Sequence, residues 1–153
     1  MLNPANPILN LSPVLFMSGS PRGNDIVEHH LPFFEWIKSC RKPILGICAG
    51  HHIIGYLYGS ELLRSKEPEA GDYKVKMLIN DRIFNGMEKA FEVKQMHNDS
   101  ITLPENFILL ATSKTCKNQL MKHREKPLYT CQFHPEYYNL LLIENFLSLC
   151  KNH

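Results

Sequence analysis

The stretch Pro43-Ile-Leu-Gly-Ile-Cys-Ala-Gly-His-His52 constrains this chain more than any other. Ile44 to Ile47 is a short apolar run that reads as a buried strand, and beyond it Ile53, Ile54, Leu57 and Tyr58 recur at helical spacing. Between the two lies a cysteine flanked by glycines, Gly46-Ile-Cys48-Ala-Gly50. Strand, sharp turn and helix, with a nucleophile on the turn, is the logic of a nucleophile elbow in which cysteine stands for serine. Gly46 and Gly50 carry no Cβ, so strand and helix can close around a strained turn residue. Unpaired N–H groups and the macrodipole at a helix N-terminus favour thiolate over thiol, and this is the expectation for Cys48.

A chain of 153 residues, 44% hydrophobic and 21% charged, has the size and composition of one globular domain spanning 1–153. Its formal charge of +2, without a long basic block, gives no support to nucleic-acid binding. Five cysteines, Cys40, Cys48, Cys116, Cys131 and Cys150, form an odd set without C-x-x-C spacing. That suits a reducing compartment and argues against a disulfide scaffold. No apolar run approaches the ~18 residues of a membrane span. The opening residues show no charged region followed by an apolar stretch, so the expected location is the cytoplasm. His29-His30 and His51-His52 are adjacent pairs, which on a helix point about 100° apart, and H-E-x-x-H is absent; no metal site is expected.

Val14-Leu-Phe-Met17 reads as a second buried strand, ending in the turn-rich Ser18-Gly-Ser-Pro-Arg-Gly-Asn24. A helix is expected from Pro32 to Lys42, with Phe33, Phe34 and Ile37 facing the core. Apolar, unalternating strands interleaved with helices predict an α/β fold of three layers, a mostly parallel sheet with helices on both faces. Further strand-like runs cover 73–79, 91–97, 107–111 and 129–133. An amphipathic helix closes the chain at 139–150, carrying Leu142, Ile143, Phe146 and Leu149.

A cysteine nucleophile needs a base to take its proton and a third group to orient that base. Gln132-Phe-His-Pro-Glu136 supplies both at the end of a strand. His134 and the residue two further on can share a side of an extended chain, and Pro135 stiffens the link.

Gly46-Ile-Cys-Ala-Gly50, Ser18-Gly-Ser-Pro21 and Gln132-Phe-His-Pro-Glu136 together resemble the triad class (class I) of glutamine amidotransferase domains. His97-Asn-Asp-Ser-Ile-Thr-Leu-Pro104, the run Phe107 to Ser113 and Glu144-Asn-Phe-Leu147 are similar to the GMP synthase-like branch, and the likeness extends over residues 14–150. The resemblance implies a flavodoxin-like outline and a Cys48–His134–Glu136 triad that opens the side-chain amide of glutamine through a thioester. It implies an oxyanion hole from the Ala49 N–H and the Gly19-Ser20 loop. The substrate grip would come from His52 and from Gln95-Met96-His97. No cofactor is implied. The implied partner is a separate ATP-dependent synthetase subunit, because no synthetase motif of the S-G-G-x-D-S kind is present.

Three departures accompany the resemblance. The family opens with a strand, helix and strand before this loop, and such a unit of ~30 residues is absent here. Its absence would bare sheet surface and favour self-association. Ser20 stands where the family carries glycine, and His52 where it carries glutamine. These departures keep two other readings open: a cysteine hydrolase of γ-glutamyl or related amides, and a non-catalytic paralogue acting as a binding partner.

Overall fold

The apolar run Ile44–Ile47 lies buried along its whole length inside a seven-stranded sheet. The structure, a computed structural model, describes residues 12–18 and 29–151. Its strands are β1 (Leu15–Met17), β2 (Ile44–Ile47), β3 (Leu62–Leu63), β4 (Glu69–Met77), β5 (Ala90–His97), β6 (Ser100–Ile101), β7 (Phe107–Thr112), β8 (Leu120–His123) and β9 (Leu128–Cys131). The order across the sheet is β1-β2-β9-β8-β7-β4-β5, and β3 pairs separately with β6. The helices are α1 (Ala49–Leu57), α2 (Pro135–Tyr138) and α3 (Leu140–Cys150), with 3-10 turns at Leu31–Lys38 and Arg82–Phe84.

The expected parallel pairing occurs around the elbow, where β2 runs parallel to β1 and β9. The pairs β9–β8, β8–β7, β7–β4 and β4–β5 are antiparallel, so the sheet is mixed rather than mostly parallel. Parallel neighbours need a long crossover, usually a helix, whereas antiparallel neighbours need only a short turn. β7, β8 and β9 follow one another through connections that contain no helix. They can only fold back.

Helices cover both faces, as an α/β fold requires. On one face Ile37, Ile54 and Leu57 pack with Ile44, Phe107, Met121 and Leu128. On the other, Phe84, Leu142 and Phe146 pack with Leu45, Phe91, Tyr129, Cys131 and Phe133. The architecture is three-layered and flavodoxin-like in outline.

Three local expectations are corrected. The segment after residue 30 is a 3-10 helix ending at Lys38. Its three-residue period aligns Leu31, Phe34 and Ile37 on one side and turns Phe33 outward, 47% exposed. β8 has no counterpart in the sequence reading, because Leu120-Met-Lys-His123 is short and interrupted by charge. β1, expected to be a buried strand, is instead partly exposed: it ends the sheet on its side among the described residues, and its Phe16, 45% exposed, rests edge-on against Phe146 at 5.7 Å. Among the described residues no helix is long and apolar enough to cross a membrane.

Candidate active site

β2 delivers Cys48 to the N-cap of α1 with φ 53° and ψ −102°. It is the one non-glycine residue at positive φ among the described residues. Such a conformation costs of order 1–3 kcal/mol and persists only where the surroundings over-determine it. They do so here. The Cys48 N–H donates to the Cys131 carbonyl at 2.9 Å, continuing the β2–β9 ladder, while the Cys48 carbonyl accepts from the His52 N–H at 3.2 Å. A Cβ at Gly50 would lie 2.3 Å from the Met17 carbonyl oxygen, and one at Gly46 would lie 2.9 Å from the Gly50 carbonyl oxygen. Both contacts are with backbone, so the two glycines permit an approach of β1, β2 and α1 that no side chain allows.

Cys48 Sγ is directed at the Met96 carbonyl oxygen of β5, 3.7 Å away. Burial pushes the thiol above its ordinary range. The Ala49 N–H at the start of α1 pulls the other way, and the negative charge of Glu136 pushes it up again. The thiolate expected from helix position alone is therefore not the resting form: desolvation outweighs the N-terminal N–H. A thiol that donates to a carbonyl needs a base before it can attack.

His134 sits two residues along β5 from that contact: its N–H donates to the Lys94 carbonyl at 2.9 Å in an isolated antiparallel bridge. Its Nδ1 lies 2.7 Å from Glu136 Oε1. The route to this pairing differs from the expected strand alternation. β9 stops at Cys131, His134 is the N-cap of α2, and Pro135 opens the helix. Glu136 thus returns to the histidine from a first helical turn. With Nδ1–H donating to the carboxylate, Nε2 is left to accept a proton.

The remaining expected residues divide. Ala49 is the first residue of α1 and bears on the sulfur. Gly19 and Ser20 lie outside the described residues. Met96 meets the Cys48 sulfur through its main-chain carbonyl. The Gln95 side chain is fully buried, and neither amide atom has a hydrogen-bond partner among the described residues. His97 Nδ1–H donates to the Asp99 carbonyl at 2.9 Å, and Nε2 stands 3.3 Å from Glu69 Oε2. Burial holds the His97 imidazole below its ordinary pKa, opposed by the Asp99 carbonyl and by Glu69. His52 is 4% exposed, with Nε2 2.7 Å from Gln132 Oε1. Burial lowers its pKa too, and the Gln132 bond opposes the shift.

Two residues with no role in the sequence reading join this cluster: Gln132, and Thr130, whose Oγ1 is 2.7 Å from His51 Nδ1. The signal was present, since Cys48, His51 and His52 stand at helical i, i+3, i+4 while 130, 132 and 134 alternate. Among the described residues no group of three or more His, Cys, Asp or Glu is arranged to hold a metal ion.

Residues 5–147 match the family model described as glutamine amidotransferase class-I. The chain is similar to the glutamine-hydrolyzing GMP synthase subunit of Thermoplasma acidophilum, 32% identical with 94% of this chain and 74% of the relative covered. The protein of the same name from Methanothermobacter thermautotrophicus is 34% identical over 97% of this chain and 81% of the relative. Among solved structures, a Thermoplasma acidophilum protein assigned as a GMP synthase subunit superposes with a TM-score of 0.88 at 34% identity, covering 95% of this chain and 76% of that one. A glutamine amidotransferase from Thermotoga maritima shares the fold with a TM-score of 0.74 at 22% identity, over 94% and 64% of the two chains.

Proposed function

The chain belongs to the class-I glutamine amidotransferase family, and from that premise we propose that it hydrolyses the side-chain amide of glutamine and hands the ammonia to a separate ATP-dependent synthetase subunit. The names of its relatives describe such a glutamine-hydrolyzing subunit of GMP synthase. One observation carries the reading: a cysteine strained onto a helix N-cap meets β5 at Met96, two residues from Lys94, where the same strand holds a histidine that is itself 2.7 Å from a carboxylate.

In this reading His134 Nε2 takes the Cys48 Sγ proton as sulfur attacks the glutamine Cδ carbonyl. Glu136 keeps the ring in the required tautomer and stabilises the imidazolium. The Ala49 N–H receives the oxyanion, with a second donor from the Gly19-Ser20 segment; one such donor is worth ~3 kcal/mol in the transition state. His134 returns the proton to the departing nitrogen, ammonia leaves, and a glutamyl thioester remains. Water, deprotonated by the same histidine, releases glutamate and restores the thiol. Five unbridged thiols suit a reducing compartment, and we assign the protein to the cytoplasm.

The test is glutamate release from glutamine by the purified chain, alone and with a GMP synthase synthetase subunit, beside Cys48→Ala. Activity that disappears in the variant supports the reading. A folded chain that releases no glutamate under either condition overturns it.

A further inference from the structure

Two buried hydrogen bonds join the elbow helix to the strand that leads into His134. They are His51 Nδ1 to Thr130 Oγ1 and His52 Nε2 to Gln132 Oε1, each 2.7 Å. Tyr129, Cys131 and Phe133 enter the aromatic core on the far side, while Thr130 and Gln132 meet α1. Cys48, the N-cap of α1, and His52 lie one helical turn apart, ~6 Å of rise. Gln132 stands just past the end of β9 and two residues before His134. The His52–Gln132 bond therefore ties the two segments together one short step from each member of the Cys48–His134 pair.

The pair is not what stability alone would select. Gln132 is fully buried, and its Nε2 has no hydrogen-bond partner among the described residues. A buried amide with an unpaired N–H2 is destabilising, and aliphatic side chains of similar shape would pack without that loss. What an aliphatic pair cannot do is fix a distance through a directional bond.

We propose that His52 and Gln132 are a positioning pair, which holds Cys48 Sγ and His134 Nε2 in reach of each other without touching glutamine. The proposal rests on the glutaminase reading for its kinetic readout and on Cys48 chemistry alone for a second one.

The experiment is a double-mutant cycle on the full chain with His52→Leu, Gln132→Leu and the double variant. His52→Gln is the rescue, because its Nε2–H2 can donate to Gln132 Oε1. Each is measured for kcat and KM with glutamine, and for the pH dependence of iodoacetamide alkylation at the Cys48 peptide by mass spectrometry. A misplacement of ~1 Å can lower rate by ~10²-fold. The expected result is a fall of that order in kcat for either single variant, with KM changed less than about twofold and the double variant no slower. The alkylation profile should shift to higher pH, and His52→Gln should recover most of both losses. If the leucine variants fail to fold, His52→Gln and Gln132→Asn carry the test, with recovery in the first and loss in the second. A raised KM at unchanged kcat would place His52 on the substrate and overturn the proposal, as would additive losses or an unmoved alkylation profile. A wild-type chain that releases no glutamate while its variants still shift the alkylation profile would sink the glutaminase reading and leave the pair standing.

Discussion

The run 129–134 faces two different environments, and the contrast separates what holds this protein together from what it does. Toward α3, Tyr129 and Phe133 join Phe84, Phe91 and Phe146 in edge-to-face and tilted contacts with ring centroids 6.0 to 6.1 Å apart. Toward α1, Thr130 and Gln132 meet two imidazoles through single hydrogen bonds. Dispersion and area burial on the first side are graded and spread over many contacts. Directional bonds on the second are few and fail individually. Substitutions on the aromatic side should lower stability with the surviving folded molecules still active. Substitutions on the polar side should lower activity more than stability.

The largest expected effect is at the elbow. Replacing Cys48 by alanine should reduce glutamate release by ~10⁴-fold or more, as loss of a nucleophile does elsewhere. The melting temperature should hardly move. Cys48→Gly sharpens the contrast, because glycine takes φ 53° without strain and should raise stability by ~1 kcal/mol in an inactive protein. Circular dichroism melts beside the activity assay check both.

Next comes the aromatic side. Phe146 is buried against Phe16 and Tyr129, and Phe146→Ala should cost ~3–5 kcal/mol in urea unfolding. Its kcat per folded molecule should stay within about threefold of the parent, a margin worth ~0.65 kcal/mol of transition-state energy. A kcat that falls in step with stability would break the separation of the two sides.

Gly50 tests the boundary between them. An alanine there must displace the Met17 carbonyl, which the new Cβ would otherwise meet at 2.3 Å. The expected cost is ~1–3 kcal/mol, together with a lower kcat because α1 carries Cys48 with it. Gly59→Ala is not an equivalent control, since its φ of 92° adds strain of another kind.

This division was only half legible in the residues. Gly46-Ile-Cys-Ala-Gly50 announced a strand, a strained turn and a helix, because each of those demands is local. His134 and Glu136 were legible as a pair, although the helix that brings them together at Pro135 was read as extended chain. The protonation of Cys48 was not legible, since the helix terminus is local and the burial that outweighs it is tertiary. The pairing of His51 and His52 with β9 was hidden for the same reason: partners some eighty residues away enter no periodicity. β8 is four residues long, and only its neighbours β7 and β9 make it a strand.

The smallest effect, and the one that reads both sides at once, is the pH dependence of stability. Burial holds His51 well below its ordinary pKa, with the charges of His52 and His97 adding to the shift, and burial also lowers His52 and His97. The unfolded chain then binds protons that the folded chain refuses, so stability is steady above ~6.5 and falls as pH drops below it. On the aromatic side burial raises the Cys131 thiol well above its ordinary value, with Glu136 and Cys48 adding to the shift. There the unfolded chain loses its proton first, and stability falls as pH rises past ~8.5 to 9. Each group contributes at most ~1.4 kcal/mol per pH unit. Urea midpoints from about pH 5 to 10 should therefore trace a dome, its acid limb set by the buried imidazoles of the α1 side and its alkaline limb by the thiols that burial raises, Cys131 on the aromatic side together with Cys48 and Cys116. His51→Gln should flatten the acid limb and leave the alkaline limb alone, and Cys131→Val should make the alkaline limb shallower and leave the acid limb alone. Crossed effects would mean that the two sides titrate as one network, and the separation argued from packing would fail.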